Sequence, residues 1–161
     1  MLDGPMKAAA PPRPLDAPPM LDVALDHDTR TLDLDRLRAV LDASAAGEGR
    51  ETGEVTVVLT DHATVRELNV AHLGHDYDTD VLSFWLGADD GSGALEGEVY
   101  VDLDTAAERC GEFGSDYERE AMRYAVHGLL HLCGYDDADD ADRETMRGLE
   151  DCYLDLPFTN P

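Results

Sequence analysis

Proline decides where this chain can fold. Six of its eight prolines, Pro5, Pro11, Pro12, Pro14, Pro18 and Pro19, lie within the first nineteen residues. Each locks φ and removes a backbone donor, so neither a helix nor a central strand is expected there. Residues 1–19 are read as a flexible Pro-rich tail, residues 20–156 as one folded domain, and residues 157–161 as a C-terminal tail. Met20 opens the better-patterned sequence and is a candidate translational start.

Within that domain the periodicities are clear. Leu21, Val23 and Leu25 alternate with polar or small residues, Glu54 to Thr60 is β-branched, and Val81 to Trp85 and Glu98 to Val101 read as two further strands. A turn-rich stretch, Asp89 to Gly93, separates the last two. Leu34, Leu37, Val40 and Leu41 recur at helical spacing behind the capping residue Asp33. Further helices are expected over Asp61 to Asn69, after Asp104, over Asp116 to Cys133, and over Asp139 to Tyr153. The order gives a single α+β domain, with a small mixed sheet of about four strands packed with helices.

Charge narrows the setting. The 161 residues carry 36 Asp and Glu against 12 Lys and Arg, a formal net charge of −24, and the only lysine is Lys7. A hydrophobic fraction of 43% still argues for a folded core. Carboxylates with almost no lysine suit a surface that stays hydrated where the Debye length has shrunk to about 3 Å near 1 M salt. A salt-rich cytoplasm is therefore expected. Self-repulsion from phosphate is screened there too, so acidity alone excludes a generic electrostatic nucleic-acid binder but not an RNA substrate. Cys110, Cys133 and Cys152 are odd in number and lack metal-type spacing, which points to a reducing interior. No run approaches the roughly 20 apolar residues of a membrane span, and no signal peptide is evident; the expected location is cytoplasmic.

The chemistry concentrates on the long C-terminal helix. His127 and His131 are four apart and share one face, within about 40° of each other, beside the apolar arc of Met122, Val126, Leu129, Leu130 and Cys133. Gly134 can take positive φ and fold the chain back across the last turn. Asp137 then comes within reach of both imidazoles. Two nitrogens and a carboxylate oxygen, with one position left for water, are the donor set of a catalytic zinc site. The bland alternative for Asp137 is a solvated helix start, in an acidic run with Asp136, Asp139, Asp140 and Asp142. Cys133, about 200° from His131 around the helix, belongs to the core. A peptidase of the HExxH type places its general base next to the first histidine, and here that residue is Gly128.

At these residues the chain resembles the YbeY-type endoribonucleases, whose signature HGxLHLxGYDH is matched from His127 to Asp136 and departs only at Asp137. Leu68-Asn69 followed by Thr79-Asp80-Val81-Leu82-Ser83-Phe84 is similar to the family's LN…PTDVLSF segment, and Gly97 to Val101 to its GDIVI strand. The resemblance covers about residues 21–153. It implies a domain over residues 20–156 that holds one zinc ion through His127, His131 and Asp137. It also implies cleavage of single-stranded RNA in 16S rRNA 3′-end maturation and ribosome quality control, with the ribosome or small-subunit proteins as partners.

In that reading the catalytic group is a metal-bound water, with no side chain singled out as acid or base. The family's third histidine is Asp137 here; an anionic ligand lowers the Lewis acidity of zinc and opens the site to iron or manganese. The family's loop arginine is Leu73, which cannot clamp a phosphate, while His75 takes the place of a lysine and joins His72 as a candidate cation or proton shuttle. Two other functions stay open: a non-catalytic ribosome-associated assembly factor with a structural or absent metal, and a zinc metallopeptidase, which Gly128 argues against. Ser83 is read as a hydrogen-bonding residue of the cleft. Phe84 and Trp85 point to opposite faces, so at most one can stack a base. Arg119, Arg123, Arg143 and Arg147 are read as ion-pair partners.

A salt-adapted surface has a direct consequence: the thermal unfolding midpoint should rise between low and molar salt. A flat or falling midpoint contradicts it.

Overall fold

Among the described residues, β-branched and aliphatic side chains build a five-stranded sheet. The computed structural model describes residues 6–7, 20–73, 79–86 and 94–157. Its strands are β1 (Met6–Lys7), β2 (Met20–Leu25), β3 (Thr52–Thr60), β4 (Val81–Trp85) and β5 (Leu95–Asp102), in spatial order β1-β4-β5-β3-β2. β2, β3 and β5 are parallel, β4 is antiparallel to β5, and β1 runs parallel to β4. The four strands expected from the pattern are all present, which makes the α+β reading correct. The additional strand, β1, pairs Met6 with Phe84 and Lys7 with Trp85. Two residues are too few to show a period, and an edge is where a strand is tolerated among prolines. The rest of the 1–19 segment, the turn at 89–93 and the residues after Pro157 lie outside the described residues.

Five α-helices accompany the sheet among the described residues: α1 (Leu34–Gly47), α2 (His62–Leu68), α3 (Leu103–Arg109), α4 (Tyr117–Leu132) and α5 (Asp140–Leu154). A π-helical turn, Asn69–Leu73, prolongs α2, and a 3-10 turn, Cys110–Phe113, follows α3. Asp33, Asp61, Asp102, Asp116 and Asp139 cap the five starts, each accepting from the backbone N–H three residues on. Each such cap stabilises its helix by about 1 kcal/mol. Part of the carboxylate excess is thus structural.

The sheet has two unequal faces. On one, Val55, Val57 and Leu59 of β3 and Val99 and Val101 of β5 meet Leu37, Val40 and Leu41 of α1 and the apolar side of α4. On the other, Leu82 and Phe84 pack with Val65 of α2. α4 is the central helix, buried from Glu120 to Val126 and again from Gly128 to Leu132, so only His127 breaks the buried run. No described helix is long and apolar enough to cross a membrane.

Gly128 permits that close packing. A Cβ there would stand 2.4 Å from Val99 Cγ1 and 3.0 Å from Val81 Cγ2, and Ser83 Oγ donates to the Gly128 carbonyl at 2.9 Å. Gly128→Ala is therefore expected to cost about 1–3 kcal/mol through overpacking. Denaturant unfolding measures this, and an unchanged midpoint contradicts the contact.

Candidate metal centre

The end of α4 shapes the site. Gly134 has φ of 106°, and the chain closes with Gly134 N–H donating to His131 O at 3.0 Å and Tyr135 N–H to Leu130 O at 3.1 Å. These are the paired bonds of a Schellman turn. The turn brings the Tyr135 carbonyl back over the helix, where it lies 2.9 Å from His131 Nδ1. A carbonyl only accepts, so Nδ1 carries the proton and Nε2 presents its lone pair.

His127 is held by the same logic from a different element. Its Nδ1 lies 2.7 Å from Glu150 Oε2 of α5, and Arg123 fixes Glu150 Oε1 at 2.9 Å. Arg123 also pairs with Asp151. Both Nε2 atoms consequently face one point, 3.1 Å apart. Asp137 Oδ2 completes the triangle, 3.3 Å from His127 Nε2 and 3.7 Å from His131 Nε2. Metal–ligand distances of about 2.0–2.2 Å put tetrahedral neighbours roughly 3.3–3.5 Å apart. The three separations bracket that spacing, so small side-chain shifts would close the donor set on a divalent ion, and His127, His131 and Asp137 form a cluster able to hold one. Arg143 secures the third member by donating to the carbonyls of Asp137 and Ala138 at 3.1 and 3.2 Å.

The charges agree with the geometry. Burial disfavours a charge on His127, but the Asp137 and Glu150 carboxylates outweigh it and lift its pKa to about 10. His127 and His131 together hold the Asp137 carboxyl far below the usual range. Burial pushes Asp80, on the cleft wall, upward against the opposing charges of His127 and Arg109. A cleft of about 460 Å³ opens here, lined by Asp80, Arg109, Tyr124, Arg147, His127 and Asp137 among others.

Other expectations resolve around this centre. Cys133 lies beyond the helix end, and burial pushes its thiol up to about 11, a neutral core-side group as expected. Position 128 points into the sheet, so a general base on the HExxH pattern has no place to stand. Phe84 is buried in edge contact with Tyr100 and with His72, while Trp85 packs against the main core. His72 therefore lies on the α2 face of the sheet, away from α4. His75 and the Leu73 side chain lie outside the described residues. Arg119 pairs with Asp151 and Asp155, and Arg143 pairs with Asp140. Glu150 was not read from the sequence, although it shares the buried stripe of Met146, Tyr153 and Leu154 on α5, where a carboxylate needs a reason.

Comparison with known proteins identifies the family. The family model "Endoribonuclease YbeY" matches residues 25–156. The chain belongs to the YbeY endoribonuclease family. Proteins named Endoribonuclease YbeY include one from Salinibacter ruber, 53% identical over 92% of this chain and 98% of its own. Another, from Chlorobium luteolum, is 39% identical over 82% of this chain and 96% of its own. The solution structure of TM1509 from Thermotoga maritima matches with a TM-score of 0.57 at 30% identity, over 82% of this chain and 86% of that one. Where the HGxLHLxGYDH signature ends in histidine, this chain has Asp137, whose Oδ2 lies 3.3 and 3.7 Å from the two Nε2 atoms.

Two results are expected. Because a proton on His127 competes with the ion up to about pH 10, apparent zinc affinity of metal-free protein should rise about tenfold per pH unit between pH 6.5 and 8.5. A flat profile contradicts this. Glu150→Gln should weaken zinc binding about 10–100-fold with the fold intact; unchanged affinity contradicts the orienting role.

Proposed function

We propose that this chain is a single-strand-specific, metal-dependent endoribonuclease of 16S rRNA 3′-end maturation and ribosome quality control, working in the cytoplasm. The family supplies the endoribonuclease class. The observation that carries metal dependence is the convergence of two Nε2 atoms and one carboxylate oxygen, with both Nδ1 atoms occupied behind them. In this reading His127, His131 and Asp137 are the ligands of one ion. Zinc is the reference metal, and the two-histidine, one-carboxylate set also accommodates iron or manganese.

When bound, a divalent ion supplies Lewis-acid charge to the phosphodiester and a lowered pKa to water. The chain's own residues do the rest. Glu150 and the Tyr135 carbonyl set the imidazole orientations, Arg143 holds the loop of Asp137, and Arg109 and Arg147 bring positive charge to a cleft on an otherwise acidic protein. RNA is the partner this cleft serves, and the ribosome or small-subunit proteins are the setting.

Elemental analysis paired with a single-stranded RNA cleavage assay tests the proposal on wild type, Asp137→Ala and Asp137→His. Wild type should hold about one ion per chain and cleave, Asp137→Ala should lose both, and Asp137→His should keep the ion. Full occupancy and normal cleavage in Asp137→Ala would remove the aspartate from the site. A metal-replete wild type that binds RNA without cutting it would point to the assembly-factor function.

A further inference from the structure

The cleft contains an acid–base pair that takes no part in the His127–His131–Asp137 cluster. On the side of α2 and α3 a space of about 590 Å³ is lined by His62, Thr105 and Arg109 together with His127 and Asp137. His62 Nδ1 lies 2.6 Å from Asp102 Oδ2. Asp102 is wholly buried at the junction of β5 and α3; its Oδ1 accepts the Thr105 N–H at 2.9 Å and its Oδ2 the Thr105 hydroxyl at 2.8 Å. The His62 backbone is tied independently, its N–H donating to Asp104 Oδ2 at 3.0 Å.

These bonds define a direction. An ionised carboxylate only accepts, so the His62 proton facing Asp102 sits on Nδ1, and Nε2 is the nitrogen on the far side of the ring. The His62 side chain is 37% exposed and the Asp102 side chain 0%, a buried carboxylate behind an accessible imidazole. That order fixes tautomer and orientation and stabilises the imidazolium. The surrounding charge agrees: Asp61, Asp102 and Asp104 face His62 from its own N-cap and from α3. Asp80, Glu108 and Arg109 line the same space, and Arg66 shares with His62 a separate hollow along α2. A purely structural role does not require the imidazole, because Asp61 caps α2 and Thr105 already satisfies both oxygens of Asp102.

We infer that His62, oriented by Asp102, is the general acid of RNA cleavage in this cleft. The inference rests on the endoribonuclease reading above. The water oxygen bonds to phosphorus and gives its proton to solvent; the bond to the leaving ribose oxygen breaks with its electron pair staying on that oxygen. The Nε2 proton of His62 passes to it, and the neutral imidazole regains a proton from solvent.

The test compares metal-loaded, full-length wild type with His62→Gln and Asp102→Asn, the latter keeping an oxygen to cap α3. On a single-stranded RNA oligonucleotide, His62→Gln should lower kcat about 10²–10⁴-fold and abolish the alkaline limb of its pH profile. Metal content and melting temperature should stay unchanged. On a nitrophenyl phosphodiester, whose leaving group needs no proton, the same variant should be nearly as fast as wild type. Asp102→Asn should shift the His62 imidazole nitrogen resonances and lower kcat in the same direction. Equal RNA cleavage with an unchanged profile overturns the inference while leaving the endoribonuclease reading intact. So does a loss shared by both substrates, or one accompanied by lost metal or stability. A metal-replete wild type that cleaves neither substrate overturns both.

Discussion

A helix buried on nearly every side commits most of its polar side chains to partners, and α4 is such a helix. His127 is matched to Glu150, His131 to the carbonyl of the turn that ends the helix, and Arg123 to Glu150 and Asp151. These bonds satisfy buried groups first, as any core requires. Their consequence is chemical: with both Nδ1 atoms committed, the two Nε2 atoms are left facing each other. The convergence of donors thus follows from how α4 is packed, and the close approach at Gly128 lets it pack there.

The acidity of the chain looks different once its carboxylates are placed. Several are helix caps, Glu150 aligns a histidine, Asp102 stands behind another, and Asp137 completes the candidate cluster. The arginines are tied to this network, so the cleft is a balanced set of opposite charges and not a basic patch. An acidic protein with such a cleft can meet a polyanion locally, above all where salt screens the long-range repulsion.

Much of this was legible in the sequence because it follows from periodicity and punctuation. Alternation marked β2, a β-branched run marked β3, and runs either side of a turn-rich stretch marked β4 and β5. Aspartates marked the helix starts, although α3 begins at Leu103 behind Asp102 and not after Asp104. The spacing from His127 to Gly134 and Asp137 brought the three donors together through a turn that only glycine makes cheaply. Contacts between distant elements were not legible. Glu150 lies 23 residues from His127, and His62 lies 40 from Asp102; no local pattern links either pair. A carboxylate on the buried stripe of α5 was the one available hint, and β1 was too short to offer any.

Metal-edge X-ray absorption on zinc-loaded, full-length protein examines the central claim most directly, since it counts donors by element and distance. The expected spectrum has two imidazole nitrogens with at least one further oxygen at about 2.0–2.2 Å and no sulfur. A sulfur shell near about 2.3 Å, or a single imidazole, would contradict it.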